Sequence, residues 1–446
     1  MKDINPRTIH LEFFGSLGCL ATLLMMPAVS LALNLNLNQS LSKDLLVLDS
    51  DLAIAAAAYA AWLAFQLVCW WLIPGAWIKG SLLRDGETRL LYKMNAFRVL
   101  IATHVALAGL VYTFGLSPLV WVANHTLQFT IVTLAFSLVL STALYIASFR
   151  SPTPLLSTVG NSGYPIHDFF IGRELNPRLF SGSLDLKQFC ELRPGIFLWV
   201  LVNYAYAAKQ LVETGSVSAS MAFICLGQLL YAADSVWFES AILTTMDITT
   251  DGFGYMLVVG DLVWVPFTYT MQARHLSLSR APVSPGSTAM MTALLALFIA
   301  SYITFRGSNS QKNDFRTLDP GHPRVAHLEY IKTEATPGSR LLVSGWWGMA
   351  RHINYLGDWG MAVSWCAASA LESGDAVSVV PWFYALYFGV LLVHRYVCRP
   401  AYPLYVVMDV DVGRAYRDDV KCRNKYGADW EKYCRIVPYQ LVPGVY

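Results

Sequence analysis

The sequence predicts an all-α fold: a polytopic membrane protein of about ten transmembrane helices, with a cytoplasmic rim of loops and short helices. Three observations predict it. Charged residues make up 14% of the 446-residue chain and apolar ones 55%, whereas ordinary globular domains carry roughly 25% charge. Mean hydropathy is +0.44. The apolar residues fall in blocks long enough for a helix to cross a ~30 Å hydrocarbon core. No stretch alternates as the strands of a membrane barrel do.

In chain order the expected spans are 10–33, 52–74, 97–114, 124–148, 195–211, 219–245, 253–271, 287–305, 357–371 and 379–397. Those beginning at 253 and 357 are interrupted by polar residues. An even number of spans puts the N-terminus, 75–98, 149–193, 246–252, 306–352 and the tail on one side. Nearly all Lys and Arg lie there, and the opposite loops hold only Lys43, Arg274 and Arg280. By the positive-inside rule both termini are cytoplasmic.

The net charge of +2 therefore hides a basic cytoplasmic face. Topology signalling alone explains such a face, and so does an anionic ligand. The charge is spread over separate segments without one dense stripe, which does not suit nucleic acid. Eight cysteines are scattered without a CxxC pair, and nine histidines without HExxH. Neither a disulfide framework nor a metal site is expected. No cleavable signal peptide is expected either, since Met1–Leu11 runs straight into a span. Asn38 and Asn124 begin glycosylation sequons on the outer side, a pattern common by chance.

The stretch LLVSGWWGMARHINYLGDWG, residues 341–360, concentrates polar groups in a greasy chain. Arg351, Asn354, Tyr355 and Asp358 are spaced i, i+3, i+4, i+7, which is one face of a helix. Burying them unpaired is costly, so they satisfy one another or hold a ligand. In QKNDFR, Lys312 and Arg316 stand four apart; the pair suits a phosphate or a solvated flank. Trp346 and Trp347 either stack on a flat ring or sit in the interfacial aromatic belt. The tail stretch RDDVKCRNKYGADWEKYC reads as an amphipathic basic helix, and the Gly-, Pro- and Asn-rich 149–193 as ordered loop.

A second cluster punctuates 231–267 with Asp234, Glu239, Asp247, Asp251 and Asp261. Carboxylates within spans are expensive and mark sites. A buried carboxyl donates a proton or pairs with Arg or Lys across helices; both readings stand. Gly252 and Gly254 beside Asp251 look hinge-like. The chain has no GxGxxG after a strand, no P-loop and no GxSxG elbow. Broken helices and intramembrane acids also fit a transporter, but the polar groups gather on one rim and the two halves are unlike.

Taken together, GNSGYPIHDFFIGRELNPRL, RPGIFLWVLVNYAYAAKQ, LTTMDITTDGFGYMLVVGDLVWVPFTY, SNSQKNDFR, LLVSGWWGMARHINYLGD and RDDVKCRNKYGADWEKYC resemble the motifs of the sterol reductase family, in the family's order. That family includes the Δ14, Δ7 and Δ24(28) sterol reductases and the membrane portion of the lamin B receptor. The resemblance covers most of the chain from 149 onward. It implies a membrane enzyme that uses NADPH to reduce a sterol double bond, with a C-terminal half built like the isoprenylcysteine methyltransferases. The implied organisation is 1–148 for N-terminal helices, 149–305 for central helices and the sterol site, and 306–446 for the NADPH-binding region.

Carried over to this chain, the family's cofactor contacts fall on Lys312, Arg316, Trp346, Trp347, Arg351, His352, Asn354, Tyr355, Asp358, Arg395, Asp418 and Tyr433. The implied chemistry is protonation of the alkene to a tertiary carbocation, followed by hydride transfer. Tyr231, Glu239, Asp247 and Asp251 are the candidates for the acid or its supporting shell. The implied partners are a sterol and the lipid bilayer, with no metal. The implied location is the endoplasmic reticulum in a eukaryote or the inner membrane in a bacterium.

DGFGYMLVVGDLVWVPFTY is most similar to the Δ14 members, whereas the ending VPYQLVPGVY leans towards Δ7. A non-catalytic scaffold like the lamin B receptor is the rival, though it would carry a long basic N-terminal extension. A methyltransferase would not need the acidic motif. Two places depart from the family pattern. Thr250 stands where the family has His. His394-Arg395 is separated from Arg417-Asp418 by YVCRPAYPLYVVMDVDVGRAY, where the family is nearly continuous; matching Gly413-Arg414 instead would give Arg414 the role.

Overall fold

Uninterrupted runs of Leu, Ala, Val and Ile build the long helices. The computed structural model describes residues 4–35, 50–84, 86–150, 154–279, 288–336, 338–374, 377–393, 419 and 422–445. Among them, seven helices are long and apolar enough to cross a membrane: Gly15–Asn34, Ser50–Leu72, Ala96–Phe114, Thr126–Ala147, Leu186–Thr214, Ala219–Trp237 and Thr288–Thr317. Ile353–Glu372, Val379–Val393 and a broken run from Tyr255 to Thr268 occupy the other three expected spans. Strand is confined to short antiparallel hairpins, the longest pairing Ala76–Leu82 with Arg89–Met94.

Two spans end differently from the expectation. The 219–245 segment stops at Trp237 and continues as a 3-10 turn, Glu239–Thr244, and one α turn, Met246–Thr249. The 253–271 segment divides into α, π and α turns at Tyr255–Val259, Gly260–Trp264 and Val265–Thr268. Pro266 has no N–H to return to the preceding turn, and its ring crowds that turn. The ladder widens there into the π turn. The 149–193 segment is not wholly loop, since Pro165–Ile171 and Leu186–Leu192 are helical.

The chain divides into two compact units, residues 1–280 and 281–446. In the first, Pro194–Thr214 is the central helix, packed against Ser117–Asn124, Ala219–Trp237, Val265–Thr268 and Met271–Leu278. Gly195 permits its contact with the π turn, because a Cβ there would fall on the Asp261 carbonyl. In the second, Thr288–Thr317 lies along Ile353–Glu372. A Cβ on Gly357 would come 2.5 Å from the Phe305 nitrogen, the small-residue contact typical of membrane helices. Thr288–Thr317 continues past the expected span end at 305 and carries SNSQKNDFR as helix, in keeping with the helical spacing of Lys312 and Arg316.

Gly195→Ala should therefore cost about 1–3 kcal/mol through forced separation of packed backbone. Gly109→Ala faces open space inside Ala96–Phe114 and should leave stability unchanged or raise it by up to about 1 kcal/mol through helix propensity. Thermal melting of the two variants in detergent measures the difference.

Candidate functional site: a buried charge knot and a polar rim

Arg193 lies completely buried between Leu186–Leu192 and Pro194–Thr214. Its guanidinium donates to Glu239 Oε1 at 2.8 Å and to Asn95 Oδ1 at 2.7 Å. Gln188 donates to the same carboxylate at 2.9 Å, and the Ala96 N–H donates to Glu239 Oε2 at 2.8 Å. Glu239 thus neutralises Arg193 and satisfies an open N–H at the start of Ala96–Phe114. Both of its oxygens are thus committed to pairing.

The loop carrying Thr250, Asp251 and the DGFG sequence is pinned from several sides. Ser157 Oγ donates to the Thr250 carbonyl at 2.9 Å, the Phe253 N–H to the Glu174 carbonyl at 3.1 Å, and Asn176 to the Ile248 carbonyl at 3.3 Å. A Cβ on Gly252 or Gly254 would collide with the Gly172 backbone. These glycines permit a backbone-on-backbone approach and are not a hinge. Phe253 anchors the loop in a cluster with Trp70, Leu184 and Phe189.

Gly172 ends the Pro165–Ile171 helix, whose first turn is braced by Asp168. That carboxylate accepts from the Ser162 N–H at 2.8 Å, Ser162 Oγ at 2.6 Å and the Gly163 N–H at 2.9 Å. Burial pushes the Asp168 carboxyl up, but hydrogen bonds from His167, Ser162 and Gly163 outweigh it and hold it below its ordinary value. Asp251 is buried and Asp247 half-buried. Tyr231 sits on a separate helix, edge-on to Trp199 with ring centroids 5.9 Å apart.

In the second unit the two tryptophans clamp a turn onto the polar end of Thr288–Thr317. The Trp346 N–H donates to Gln311 Oε1 at 2.9 Å, and Trp347 Nε1 to the Ser308 carbonyl at 2.8 Å. Trp347 is buried, with the Lys312 ammonium 3.9 Å above its ring, and so is not a belt residue. Arg316 is exposed one turn further on.

Arg351 does not share the helical face predicted for it. The helix begins at Ile353, so only Asn354, Tyr355 and Asp358 ride on it. Pairing with the C-terminal segment holds Arg351 outside: its N–H donates to the Tyr439 carbonyl at 3.0 Å, and the His352 N–H to the Gln440 carbonyl at 2.8 Å. The Arg351 guanidinium reaches Cys434 Sγ. His352 stacks on Tyr355, with ring planes 3° apart. Tyr433 packs with Ile331, Leu341, Tyr426 and Trp430, where burial pushes its phenol up. Its helix, Ala428–Ile436, is separated from the helical segment 422–426 by a turn at Gly427, φ 52°, so the tail is not one continuous helix. Arg395, Asp418 and the inserted stretch with Arg414 lie outside the described residues, as does Asn38.

Among the described residues, buried polar atoms of this rim without a hydrogen-bond partner include Arg351 Nε, Asn354 Oδ1 and Gln440 Oε1. Buried polar groups are nearly always satisfied, so this donor and these two acceptors fit a polar ligand. Gln440 was invisible in the sequence, because only the backbone pairing brings it beside His352. Lys187 and Arg193 fell there within the basic cytoplasmic face, left open between topology signalling and an anionic ligand. Their place next to the apolar RPGIFLWV run was the available clue, since intramembrane charge marks a site.

Glu239→Gln leaves Arg193 buried without its counter-charge and should cost about 3–5 kcal/mol. Replacing both partners with apolar residues should cost less than that single change; melting temperatures in detergent compare the two.

Residues 4–446 match the model of the ergosterol biosynthesis ERG4/ERG24 family. The chain is 42% identical over 455 residues to Delta(14)-sterol reductase erg24 of Schizosaccharomyces pombe, an alignment covering 99% of each. It is 40% identical over 443 residues to Delta(14)-sterol reductase TM7SF2 of Mus musculus, covering 98% of each. With Delta(14)-sterol reductase ERG24 of Candida albicans it shares 38% identity over 480 residues, covering 100% of this chain and 99% of that one. This polytopic helical chain belongs to the ergosterol biosynthesis ERG4/ERG24 family.

Proposed function

We infer that the protein is an NADPH-dependent Δ14-sterol reductase. The observation that carries this is its 42% and 40% identity, over essentially whole chains, to relatives bearing that name. An isolated trisubstituted alkene is a poor hydride acceptor. A proton must add to one alkene carbon first, leaving a tertiary cation on the other. Bound NADPH supplies the hydride that completes the saturated bond. One proton and one hydride thus enter, and the cofactor leaves oxidised.

The chain's own groups divide the remaining work. Asp247, Asp251 and Tyr231 supply or support the proton, while Glu239 serves through the frame it builds with Arg193. Burial of Asp251 keeps water away from a cation that water would trap. On the rim, Lys312 and Arg316 suit phosphate groups, which charge-assisted hydrogen bonds hold well. Arg351, His352, Asn354, Tyr355, Asp358, Trp346, Trp347 and Tyr433 shape the rest of that site, joined by Arg395 and Asp418 through the family motif. In a eukaryotic cell the protein would reside in the endoplasmic reticulum with both termini cytoplasmic. Its working regions would be 1–148, 149–305 and 306–446, from helices through sterol site to cofactor site.

Purified protein given NADPH with a Δ14-unsaturated or a Δ7-unsaturated sterol should remove only the Δ14 bond, as product mass and retention would reveal. Turnover of the Δ7 sterol alone, or of neither, contradicts the assignment. Lys312→Ala and Arg316→Ala should each raise the KM for NADPH about tenfold, the equivalent of one charge-assisted hydrogen bond. The KM for sterol should stay within about twofold. Equal effects on both substrates would make the pair a topological flank.

A further inference from the structure

The hairpin of Ala76–Leu82 and Arg89–Met94 has no part in the chemistry described so far. It links two helices long and apolar enough to cross a membrane, Ser50–Leu72 and Ala96–Phe114. Three residues separate it from the first helix and one from the second. Its root is therefore held where both helices leave the hydrocarbon, at the depth of the lipid headgroups.

The strand pairing sorts its side chains into two faces. Trp77 stands opposite Lys93, and Lys79 opposite Leu91. Opposed residues share a side of a sheet, as do residues two apart along a strand, so these four lie together. Tyr92 belongs to the other face and is buried in a cluster with Leu192, Ile242 and Leu243. The hairpin thus turns one face inward and leaves Trp77, Lys79 and Leu91 exposed on the other. Near the root, Trp71 and Phe180 are also exposed and meet edge-on, with ring centroids 5.3 Å apart.

The cations around this patch are held by carbonyls. Lys93 donates to the Trp70 and Trp71 carbonyls at 2.8 and 3.0 Å, and Arg98 to the Pro74 carbonyl at 2.9 Å. Carbonyls orient a cation without neutralising it. Among the described residues, no carboxylate pairs with Lys79, Lys93 or Arg98. The sequence places the hairpin's own acids, Asp85 and Glu87, between the strands, away from the root. Exposed aromatic rings beside uncompensated cations, at headgroup depth, match the two halves of an anionic lipid.

We propose that this face binds the headgroup of an anionic phospholipid in the surrounding leaflet. Lys79, Lys93 and Arg98 meet its negative charge, while Trp71, Trp77 and Phe180 rest against its glycerol and upper acyl region. A neutral lipid would leave the cations unanswered, and a soluble anion would leave the rings in water. The proposal stands apart from the reductase reading. The bound lipid also braces the charge knot, because Asn95 directly follows the hairpin and accepts from Arg193, and Ser81 Oγ donates to the Leu243 carbonyl at 2.9 Å.

The test reconstitutes the full-length protein in vesicles of equal phosphatidylcholine and phosphatidylserine, extracts it in neutral detergent and counts the retained lipids by mass spectrometry. Wild type should keep phosphatidylserine over phosphatidylcholine at least about tenfold, since one cation at a membrane surface is worth about fivefold. Lys79→Gln should lower that preference about fivefold, and Lys79→Gln/Arg98→Gln should bring it within about twofold of none. Lys332→Gln/Lys432→Gln removes two exposed cations from the second unit and should keep the wild-type preference.

An unselective wild type would overturn the proposal. Equal losses in the two double variants would do so too, by making the preference a property of basic charge in general. Displacement of the lipid by millimolar inorganic phosphate would assign the cations to a soluble anion instead. Should the hairpin double variant fail to fold, Lys79→Gln decides alone: its side chain has no hydrogen bond or ion pair among the described residues, and an unchanged preference there would contradict the assignment.

Discussion

A charge with no access to water has to be answered inside the protein, and in the first unit that requirement falls on Arg193. Its guanidinium is answered by Glu239 and Asn95. Those three residues join the end of the Arg89–Met94 strand, the start of Ala96–Phe114, the junction before Pro194–Thr214 and the turn after Trp237. Because Glu239 also receives the Ala96 N–H, one carboxylate fixes both a helix start and a helix junction. The Leu186–Leu192 helix, bearing Lys187 and Gln188, is registered by the same knot.

The loop itself is held by close approach more than by side chains. Gly172 lies so near Gly252 and Gly254 that no larger residue fits at any of the three positions. The carbonyls and N–H groups of this crowded region are taken up by Ser157, Asn176, Glu174 and Lys187. A rigid, water-poor loop of this kind suits proton transfer to a carbon atom, where a misplaced donor or a stray water defeats the reaction. The second unit solves a different problem. Its rim keeps Lys312 and Arg316 on a continuous helix and leaves buried polar atoms, one donor and two acceptors, without partners among the described residues.

The fold class was legible because hydropathy is a sum over many residues, and a sum tolerates local error. The positions of the long helices followed from it. Helix interruptions were less legible: Pro266 marks a break but not that it becomes a π turn at Gly260–Trp264, and the stop at Trp237 depends on where Glu239 finds Arg193. The face shared by Asn354, Tyr355 and Asp358 was correct, because local helical geometry decides it. Arg351 escaped it, because a backbone pairing about ninety residues away in sequence sets the helix start. The burial of Lys187 and Arg193 was not legible for a related reason: a rule about loop charge says nothing of which charges turn inward. The DGFG glycines, taken for a hinge, owe their presence to the Gly172 backbone, which no local pattern reveals.

The central claim is that the two hydrogens added to the sterol come from different places, an acid in equilibrium with solvent and a hydride carrier. The most direct measurement is product mass after turnover of a Δ14-unsaturated sterol in D2O with unlabelled NADPH, set against turnover in H2O with NADPH deuterated on its transferable position. The mechanism predicts one deuterium in each product, on adjacent carbons of the former double bond. Two deuteriums from solvent, or none, would contradict it.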